Sequence, residues 1–145
     1  MSLFAAYDVR YLIIGGYAVM RYAQPRFTKD LDVLIAVDDE NAKATYDALR
    51  AFGAPLENLT PDDFASKGAY YQLGVPPMRV DVMMDVPGID FGDAWQQRDT
   101  IDVGGVPVHF IGKSDLVRAK KASGRPQDLL DVAALEDPWP SGQDG

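Results

Sequence analysis

The sequence contains no cysteine and only one histidine. Without cysteine, the chain can form neither a disulfide framework nor a thiolate zinc site. A transmembrane helix needs about 20 consecutive apolar residues, and a secretory signal needs basic residues ahead of an apolar stretch and a small-residue cleavage site. The sequence shows neither pattern. These absences indicate no membrane span and, by default, a cytoplasmic location.

An excess of basic residues is also missing. Acidic residues outnumber basic ones by 22 to 14, which gives a formal net charge of −8. Proteins that bind nucleic acid over a broad surface need basic side chains to displace counterions. The charge therefore argues against a nucleic-acid substrate. It does not exclude one, because bound Mg2+ or a local basic patch could offset the acidity.

Length and composition predict one globular domain. The 145 residues, 47% hydrophobic and 25% charged, are enough for a real core and typical of a soluble protein. No internal repeat or low-complexity segment divides the chain. We predict a single domain over residues 1–136, followed by a flexible, Pro/Gly-rich tail over residues 137–145.

Hydrophobic periodicity predicts an α/β (α+β) protein with a mixed sheet flanked by helices, because hairpins and strand–helix units both occur. The predicted strands cover residues 9–14, 31–37, 69–75, 78–86, 100–103 and 106–111. The predicted helices cover residues 17–24, 38–52, 91–97, 114–123 and 127–136, with a further short helix starting at residue 61.

The stretch from Arg26 to Ile35 is the centre of the functional argument. From residue 31 it is apolar and rich in β-branched residues, as expected of a strand. Side chains alternate along a strand, so Asp30 and Asp32 project from one side, and Thr28 and Arg26 extend that row. Two adjacent carboxylates beside a buried strand are energetically costly unless a cation lies between them. A divalent metal ion is one interpretation, and a pair of solvated acids at a strand end is the other.

Two more features bear on this choice. Gly15 and Gly16 separate an apolar strand from a helix, where a backbone without side chains can approach a ligand and helix amides can face an anion. Asp81 is an acid on a later apolar strand and could supply the third carboxylate of a two-metal site. Taken singly, the glycines could form a plain turn and Asp81 could be a solvated residue. Asp85, at the end of the same strand, is the less favoured candidate.

The order of these features resembles the nucleotidyltransferase superfamily built on the polymerase β fold. Its signature is a Gly-Gly or Gly-Ser turn, then Asp-x-Asp or Asp-x-Glu on a strand, then a third acid on another strand. Within it, Gly-Gly-Tyr-Ala-Val followed by Pro-Arg-Phe-Thr-Lys-Asp-Leu-Asp is most similar to small prokaryotic nucleotidyltransferases related to abortive-infection toxins. The resemblance touches residues from about 11 to 136.

This resemblance implies a metal-dependent enzyme that transfers an NMP from an NTP to a hydroxyl acceptor. Asp30, Asp32 and Asp81 would hold Mg2+ or Mn2+, with Asp81 also acting as the base toward the acceptor hydroxyl. The amides of Gly15 and Gly16 would bind the β- and γ-phosphates. The side chains that would orient the triphosphate or balance its charge are Arg26, Thr28, Lys113, Lys120, Lys121 and Arg125.

The relatives also carry a lysine followed by an Arg-x-x-Asp-x-x-Asp helix, which corresponds here to Arg125, Asp128 and Asp131. The alternative is that these two acids are simply a polar pair on an amphipathic helix, opposite Leu129 and Leu130. Lys120 and Lys121 would then form a solvated face.

The resemblance leaves the acceptor open between tRNA ends, a side chain of a partner protein and a small antibiotic-like hydroxyl compound. A toxin–antitoxin system and a homo-oligomer are both compatible with it. Two other functions are compatible with the same fold: an antitoxin-like or regulatory subunit, and a nucleotide- or metal-binding module without catalysis. Three retained carboxylates argue against the loss of catalysis.

Overall fold

A computed structural model of the protein describes residues 2–23, 30–67, 70–73 and 79–136. The helices are α1 (Ser2–Ala6), α2 (Gly15–Tyr22), α3 (Asp39–Phe52), α4 (Phe91–Gln96), α5 (Lys113–Ser123) and α6 (Pro126–Glu136). The strands are β1 (Tyr11–Ile14), β2 (Asp30–Ile35), β3 (Tyr70–Leu73), β4 (Arg79–Met83), β5 (Asp99–Val103) and β6 (Val106–Phe110), and a 3₁₀ turn covers Pro61–Ala65.

The six strands form one mixed sheet in the order β3-β4-β2-β1-β6-β5. The pairs β1–β2, β3–β4 and β5–β6 are antiparallel, whereas β1–β6 and β2–β4 are parallel. The predicted mixed α/β architecture is therefore confirmed. In particular, the parallel pairing of β2 with β4 brings together the two strands that carry the candidate acids.

The sheet separates two hydrophobic cores, because successive side chains of each central strand point to opposite faces. On one face Tyr11 and Ile13 of β1 and Val33 of β2 pack with residues of α1, α3 and the 3₁₀ turn. On the other face Leu12 of β1 and Leu34 of β2 pack with residues of α2, α4, α5 and α6. Strand β1 is buried on both faces, as its uninterrupted apolar sequence indicates.

Local capping explains where several elements begin and end. The Asp38 side chain accepts a hydrogen bond from the Asn41 amide and caps the N-terminus of α3. Gly53 ends the same helix in the left-handed conformation, at a φ of 92°. Gly104 and Gly105 both have positive φ in the β5–β6 turn, as a two-residue hairpin requires.

Some predicted features lie outside the described residues. They are the connection between the predicted strands 69–75 and 78–86, the tail over residues 137–145, Arg26 and Thr28. Within the described part of the chain, none of the helices combines the length and the apolar character that a membrane span requires.

Candidate functional site

Two of the predicted acids lie side by side on neighbouring strands. Asp32 of β2 is the register partner of Asp81 of β4 in the parallel pair. Both belong to the face that also carries Leu34 and Met83, which is the face covered by α2, α4, α5 and α6. The two carboxylates share a hydrogen bond. The structure thus brings two acids that are 49 positions apart in the sequence into direct contact.

The pairing changes the acid–base behaviour of Asp32. Burial, the hydrogen bond with Asp81 and the negative charges of Asp81 and Asp30 together raise the pKa of Asp32 to about 7, against an opposing effect of Lys120. The causes are desolvation and like-charge repulsion, both of which disfavour the ionised form. In the absence of a cation, the pair therefore holds a proton near neutral pH.

This proton predicts how stability depends on pH. Since the pKa of Asp32 is higher in the folded than in the unfolded chain, stability falls as pH rises from about 4 to about 7. In the presence of EDTA, the free energy of unfolding should decrease from pH 5 to pH 8 in the wild type. We expect this decrease to be smaller in Asp32→Asn by about 2 kcal/mol. Urea denaturation at both pH values measures the difference.

His109 also makes the free energy of unfolding depend on pH, in the same way in both proteins. Burial, and secondarily Arg98, lower the pKa of His109, so this group makes stability rise with pH near its titration. The effect is common to both proteins and cancels in the comparison. Equal pH slopes for wild type and Asp32→Asn would contradict the shared proton.

Asp30 lies two residues before Asp32 on the same strand face, and its carboxylate is 4.0 Å from Arg79 Nε. Within the described residues, no three Asp, Glu, His or Cys side chains meet closely enough to hold a metal ion as they stand. Nevertheless Asp81 Oδ1 is buried and has no hydrogen-bond partner in that part of the chain. A hard divalent cation prefers such oxygen donors and would replace the proton of the pair. The carboxylate oxygens of the Asp32–Asp81 pair, with Asp30 on the same face, are therefore donors of the chemical type that Mg2+ or Mn2+ prefers.

The predicted glycine turn lies directly beside this pair. Helix α2 begins at Gly15, where no side chain caps the first turn, and Gly15 has a φ of +71°. A Cβ on Gly15 would lie 3.0 Å from Asp32 Cγ and closer still to its Oδ2. Gly15 is therefore required both by its backbone conformation and by the approach of the Asp32 carboxylate. Gly16 is buried within the first turn of α2.

Gly15→Ala consequently tests the close packing of the turn against Asp32. We expect it to lower the free energy of unfolding by about 1–3 kcal/mol, because alanine at positive φ is strained and its methyl displaces Asp32. Chemical denaturation measures this loss. Gly53→Ala is the matched control, because Gly53 also has positive φ but a Cβ there meets nothing within 4 Å. A similar loss in both variants would show that backbone strain alone matters.

Asp32 lines a cavity of about 500 Å³. Its walls come from β1, β2, β3 and β4, from the start of α2, from the loop after β4, and from α5, α6 and their junction. The lining residues are Ile14, Gly15, Asp32, Tyr70, Met83, Asp85, Val86, Pro87, Leu116, Ala119, Lys120, Ser123, Arg125 and Asp128. The cavity thus brings together the glycine turn, one of the paired carboxylates and two of the predicted basic residues.

Helix α6 contributes buried acids, contrary to the amphipathic interpretation. Asp128 is 1% exposed and Asp131 is 4% exposed, whereas Leu129 and Leu130 are 53% and 65% exposed. The alternative in which the two leucines face inward is therefore wrong. The physical reason is Lys120 of α5, whose Nζ lies 3.3 Å from Asp128 Oδ1 and 3.0 Å from Asp131 Oδ2.

Asp128 also holds Arg125. The Arg125 Nε donates to Asp128 Oδ2 over 2.7 Å, while the rest of its side chain is largely exposed at the cavity. Burial acts to raise the pKa of Asp128, but hydrogen bonds from Arg125, Ser123 and Lys120 outweigh it and hold the pKa well below its usual range. Asp128 is therefore ionised at neutral pH and fixes two cations beside Asp32.

The other basic candidates are placed differently. Lys113, at the start of α5, is exposed and does not line the cavity. Lys121 is exposed and pairs with Glu136 over 3.0 Å. Of the four basic residues proposed on α5, α6 and their junction, the structure thus brings Lys120 and Arg125 to the site. Lys120 is mostly buried and is not part of a solvated face.

Two cavity residues had weak signals in the sequence. Asp85, the less favoured acid, lines the cavity, and so does the exposed ring of Tyr70. Asp81, Met83 and Asp85 are two residues apart, so strand alternation predicts that the Asp85 side chain lies on the same face of the sheet as Asp81. The orientation of Tyr70 relative to Tyr71 depends on how β3 pairs with β4, which the sequence alone does not give.

Comparison with known proteins gives the family context. A family model described as "Nucleotidyltransferase of unknown function (DUF6036)" matches residues 2–136. No curated protein matches the sequence at a significant level.

Solved structures give the fold. The lincosamide antibiotic adenylyltransferase LnuA, bound to lincomycin, is 15% identical with a TM-score of 0.60, over 93% of this chain and 90% of that chain. TM1012 from Thermotoga maritima, assigned to the nucleotidyltransferases, is 15% identical with a TM-score of 0.57, over 94% and 91%. The antibiotic-resistance factor ANT(2'')-Ia is 12% identical with a TM-score of 0.54, over 93% and 76%. The predicted polymerase β-like fold is confirmed.

Proposed function

This chain belongs to the nucleotidyltransferase family of unknown function DUF6036, and from that membership we propose that it transfers an NMP from an NTP to a hydroxyl acceptor. The observation that carries the proposal is the contact between Asp32 and Asp81 on parallel strands, beside the glycine turn that begins α2. Relatives of the same fold include an antibiotic adenylyltransferase.

The reaction needs an oxygen of the acceptor to attack the α-phosphorus while pyrophosphate leaves. An O–P bond to the acceptor forms, the O–P bond to the β-phosphate breaks, and the acceptor proton must be removed. Asp81, whose Oδ1 is buried and unpartnered among the described residues, is the group that accepts this proton. Asp32 and Asp30 lie on the same face, and with Asp81 they would hold the cation that offsets the negative charge of the α-phosphate.

Asp30, Asp32 and Asp81 would hold Mg2+ or Mn2+, which when bound neutralises phosphate charge and lowers the pKa of the attacking hydroxyl. The oxygen-only donor set suits these hard cations. The proton shared by Asp32 and Asp81 must leave when the cation binds, so the affinity for the cation should rise with pH up to about 7.

The triphosphate would lie on the side of α2, α5 and α6. Amides at the start of α2, from Gly15 and Gly16, lack a side-chain cap and can donate to phosphate oxygens. Arg125 and Lys120 line the cavity and add positive charge on that side. Arg26 and Thr28, which lie outside the described residues, remain candidates for orienting the same group.

For the acceptor we propose a small hydroxyl compound. Two relatives of the fold act on or confer resistance to antibiotics, and the net charge of −8 disfavours a polyanionic acceptor. A tRNA end, and a side chain of a partner protein in a toxin–antitoxin pair, are the competing acceptors that the experiment must include. The alternative function, a nucleotide-binding module without catalysis, would be indicated by NTP binding without any transfer.

The experiment is transfer of labelled α-phosphate from each NTP, with Mg2+ or Mn2+, to total tRNA, to cell protein and to a panel of hydroxyl compounds. The Asp30→Ala/Asp32→Ala double variant is the control. Label on one acceptor that disappears in the double variant supports the proposal. Metal-dependent NTP binding with no labelled acceptor and no release of labelled NMP by hydrolysis would instead indicate a binding module. No NTP binding at all would refute the assignment of the site.

A further inference from the structure

The two adjacent tyrosines of β3 have separate environments. The Tyr71 ring lies 5.3 Å from the ring of Phe64, within the core under the 3₁₀ turn. Tyr70 points to the other face of the sheet and is 62% exposed. It lines the same cavity as Asp32 and Gly15. An aromatic ring presented to solvent inside a cavity is a platform for a ligand, because its burial by the ligand is favourable.

The register places Tyr70 next to the reacting groups. In the antiparallel pair Tyr70 lies opposite Met83, and Gln72 lies opposite Asp81. Tyr70 is therefore the diagonal neighbour of Asp81 on the same face, at about 7–8 Å between backbone positions.

The order of the strands indicates whether the acceptor or the nucleotide lies against Tyr70. From β1 outward the strands run β1-β2-β4-β3, so the glycine turn, Asp32, Asp81 and Tyr70 follow one another across the sheet. The attacking oxygen and the leaving pyrophosphate must lie on opposite sides of the α-phosphorus. With the triphosphate on the side of the glycine turn, the acceptor lies on the side of Asp81 and Tyr70.

The cavity wall carries charged side chains of both signs. Lys120 and Arg125 carry the positive charge. Both pair with Asp128, and Lys120 also acts on Asp32, which lies next to Gly15. Asp85 follows Met83 on the cavity face, is exposed and makes no ion pair with any residue in the described part of the chain. Asp85 therefore places a negative charge on the cavity wall next to Met83, where it attracts a cation and repels phosphate groups.

We propose that Tyr70 and Asp85 form the acceptor subsite, and that it takes a small hydroxyl compound in which a ring bears a protonated amine. The proposal rests on the proposed nucleotidyl transfer and specifies its acceptor. The ring packs on Tyr70, the ammonium group pairs with Asp85 or lies over the tyrosine face, and a hydroxyl of the same ring reaches Asp81. A nucleic-acid acceptor would place its phosphates against Asp85.

Nucleotide binding tests the direction of the site without an acceptor. We expect Tyr70→Ala to bind each NTP with Mg2+ within twofold of the wild type, by calorimetry. If the nucleobase instead stacks on Tyr70, the affinity should fall about 5- to 150-fold, the usual range for loss of one base–aromatic contact. That result would overturn the proposal. Tyr7→Ala is the matched control, because Tyr7 is an exposed tyrosine that does not line the cavity.

Three sugars that differ mainly in charge test the chemistry of the subsite. They are glucosamine, its neutral N-acetyl derivative and anionic glucose 6-phosphate, each used as acceptor for label from an α-labelled NTP. We expect kcat/KM to decrease in that order. Asp85→Asn should reduce the preference for the cation about tenfold, whereas Glu57→Gln, at an exposed acid outside the cavity, should leave it unchanged.

Tyr70 variants complete the test. Tyr70→Ala should raise the KM of the sugar about tenfold with the KM of the NTP unchanged, and Tyr70→Phe should restore it. A preference for the neutral or anionic sugar, a preference that survives Asp85→Asn, label on tRNA alone, or NMP release to water with no sugar labelled would each overturn the proposal. A wild type that neither binds NTP nor releases NMP would show instead that the proposed function itself is wrong.

Discussion

Asp32→Asn should reduce nucleotidyl transfer by about 10³-fold or more, which is the largest effect on activity that we expect. The substitution keeps the size and shape of the side chain but removes the charge that a divalent cation needs. Charge stabilisation by a bound metal ion amounts to several kcal/mol in the transition state, which corresponds to a loss of this size. Single-turnover transfer of labelled α-phosphate at saturating NTP measures it.

The stability of the same variant separates chemistry from folding. Since ionised Asp32 is disfavoured beside Asp81 and Asp30, Asp32→Asn should be at least as stable as the wild type at pH 8 in EDTA. Loss of activity with retained stability is the result expected of a functional carboxylate. If Asp32→Asn keeps more than a tenth of the wild-type rate, the assignment of Asp32 to the metal site is wrong.

Asp81→Asn and Asp30→Asn should differ from each other. Asp81 shares the hydrogen bond with Asp32 and is assigned as the base, so its loss should approach that of Asp32→Asn. Asp30 is near Arg79, so part of the Asp30 charge is already balanced. Asp30→Asn should therefore lose less activity. Equal and small effects for all three acids would place the reaction elsewhere in the molecule.

Much of the fold follows from local patterns in the sequence. The apolar strand before Gly15, the capped helix ending at Gly53 and the Gly104-Gly105 hairpin are each determined by a few neighbouring residues, and each prediction is confirmed within a few residues. Alternation along a strand also places Asp30 and Asp32 on one side. These are short-range properties, which a single sequence contains.

Long-range register is a different matter. The sequence predicts that Asp81 lies on a strand but not that β4 pairs in parallel with β2 so that Asp81 meets Asp32. Similarly, the orientation of Tyr70 depends on its position opposite Met83. Pairing between distant strands depends on the packing of the whole sheet, so it becomes visible only in three dimensions.

Helix α6 shows how a pattern can mislead. Asp128, Asp131, Val132 and Leu135 have the spacing of one helical face, and this is the face that is buried. Hydrophobicity alone favours the opposite face, with Leu129 and Leu130. The deciding residue is Lys120 on another helix, whose charge allows two carboxylates to be buried.

Asp128→Ala should lower the free energy of unfolding by about 3–5 kcal/mol, the largest effect on stability that we expect. Asp128 is buried and bonded to both Lys120 and Arg125. Its removal leaves the largely buried Lys120 with Asp131 as its remaining acidic partner in this network, and breaking a buried ion pair typically costs this much. Urea denaturation at pH 7 measures the loss.

Glu136→Ala is the matched control for that experiment, because it also removes an acid that pairs with a lysine of α5, but on the surface. An exposed pair contributes about 0–1 kcal/mol, so little should change. The loss in Asp128→Ala should also depend on pH. Because the pKa of Asp128 is lower in the folded chain than in the unfolded chain, its stabilisation is complete above about pH 4 and decreases in more acidic solution. Similar losses in both variants, or a loss in Asp128→Ala that does not shrink in acid, would mean that the α5–α6 pairing is held by its apolar contacts and not by this carboxylate.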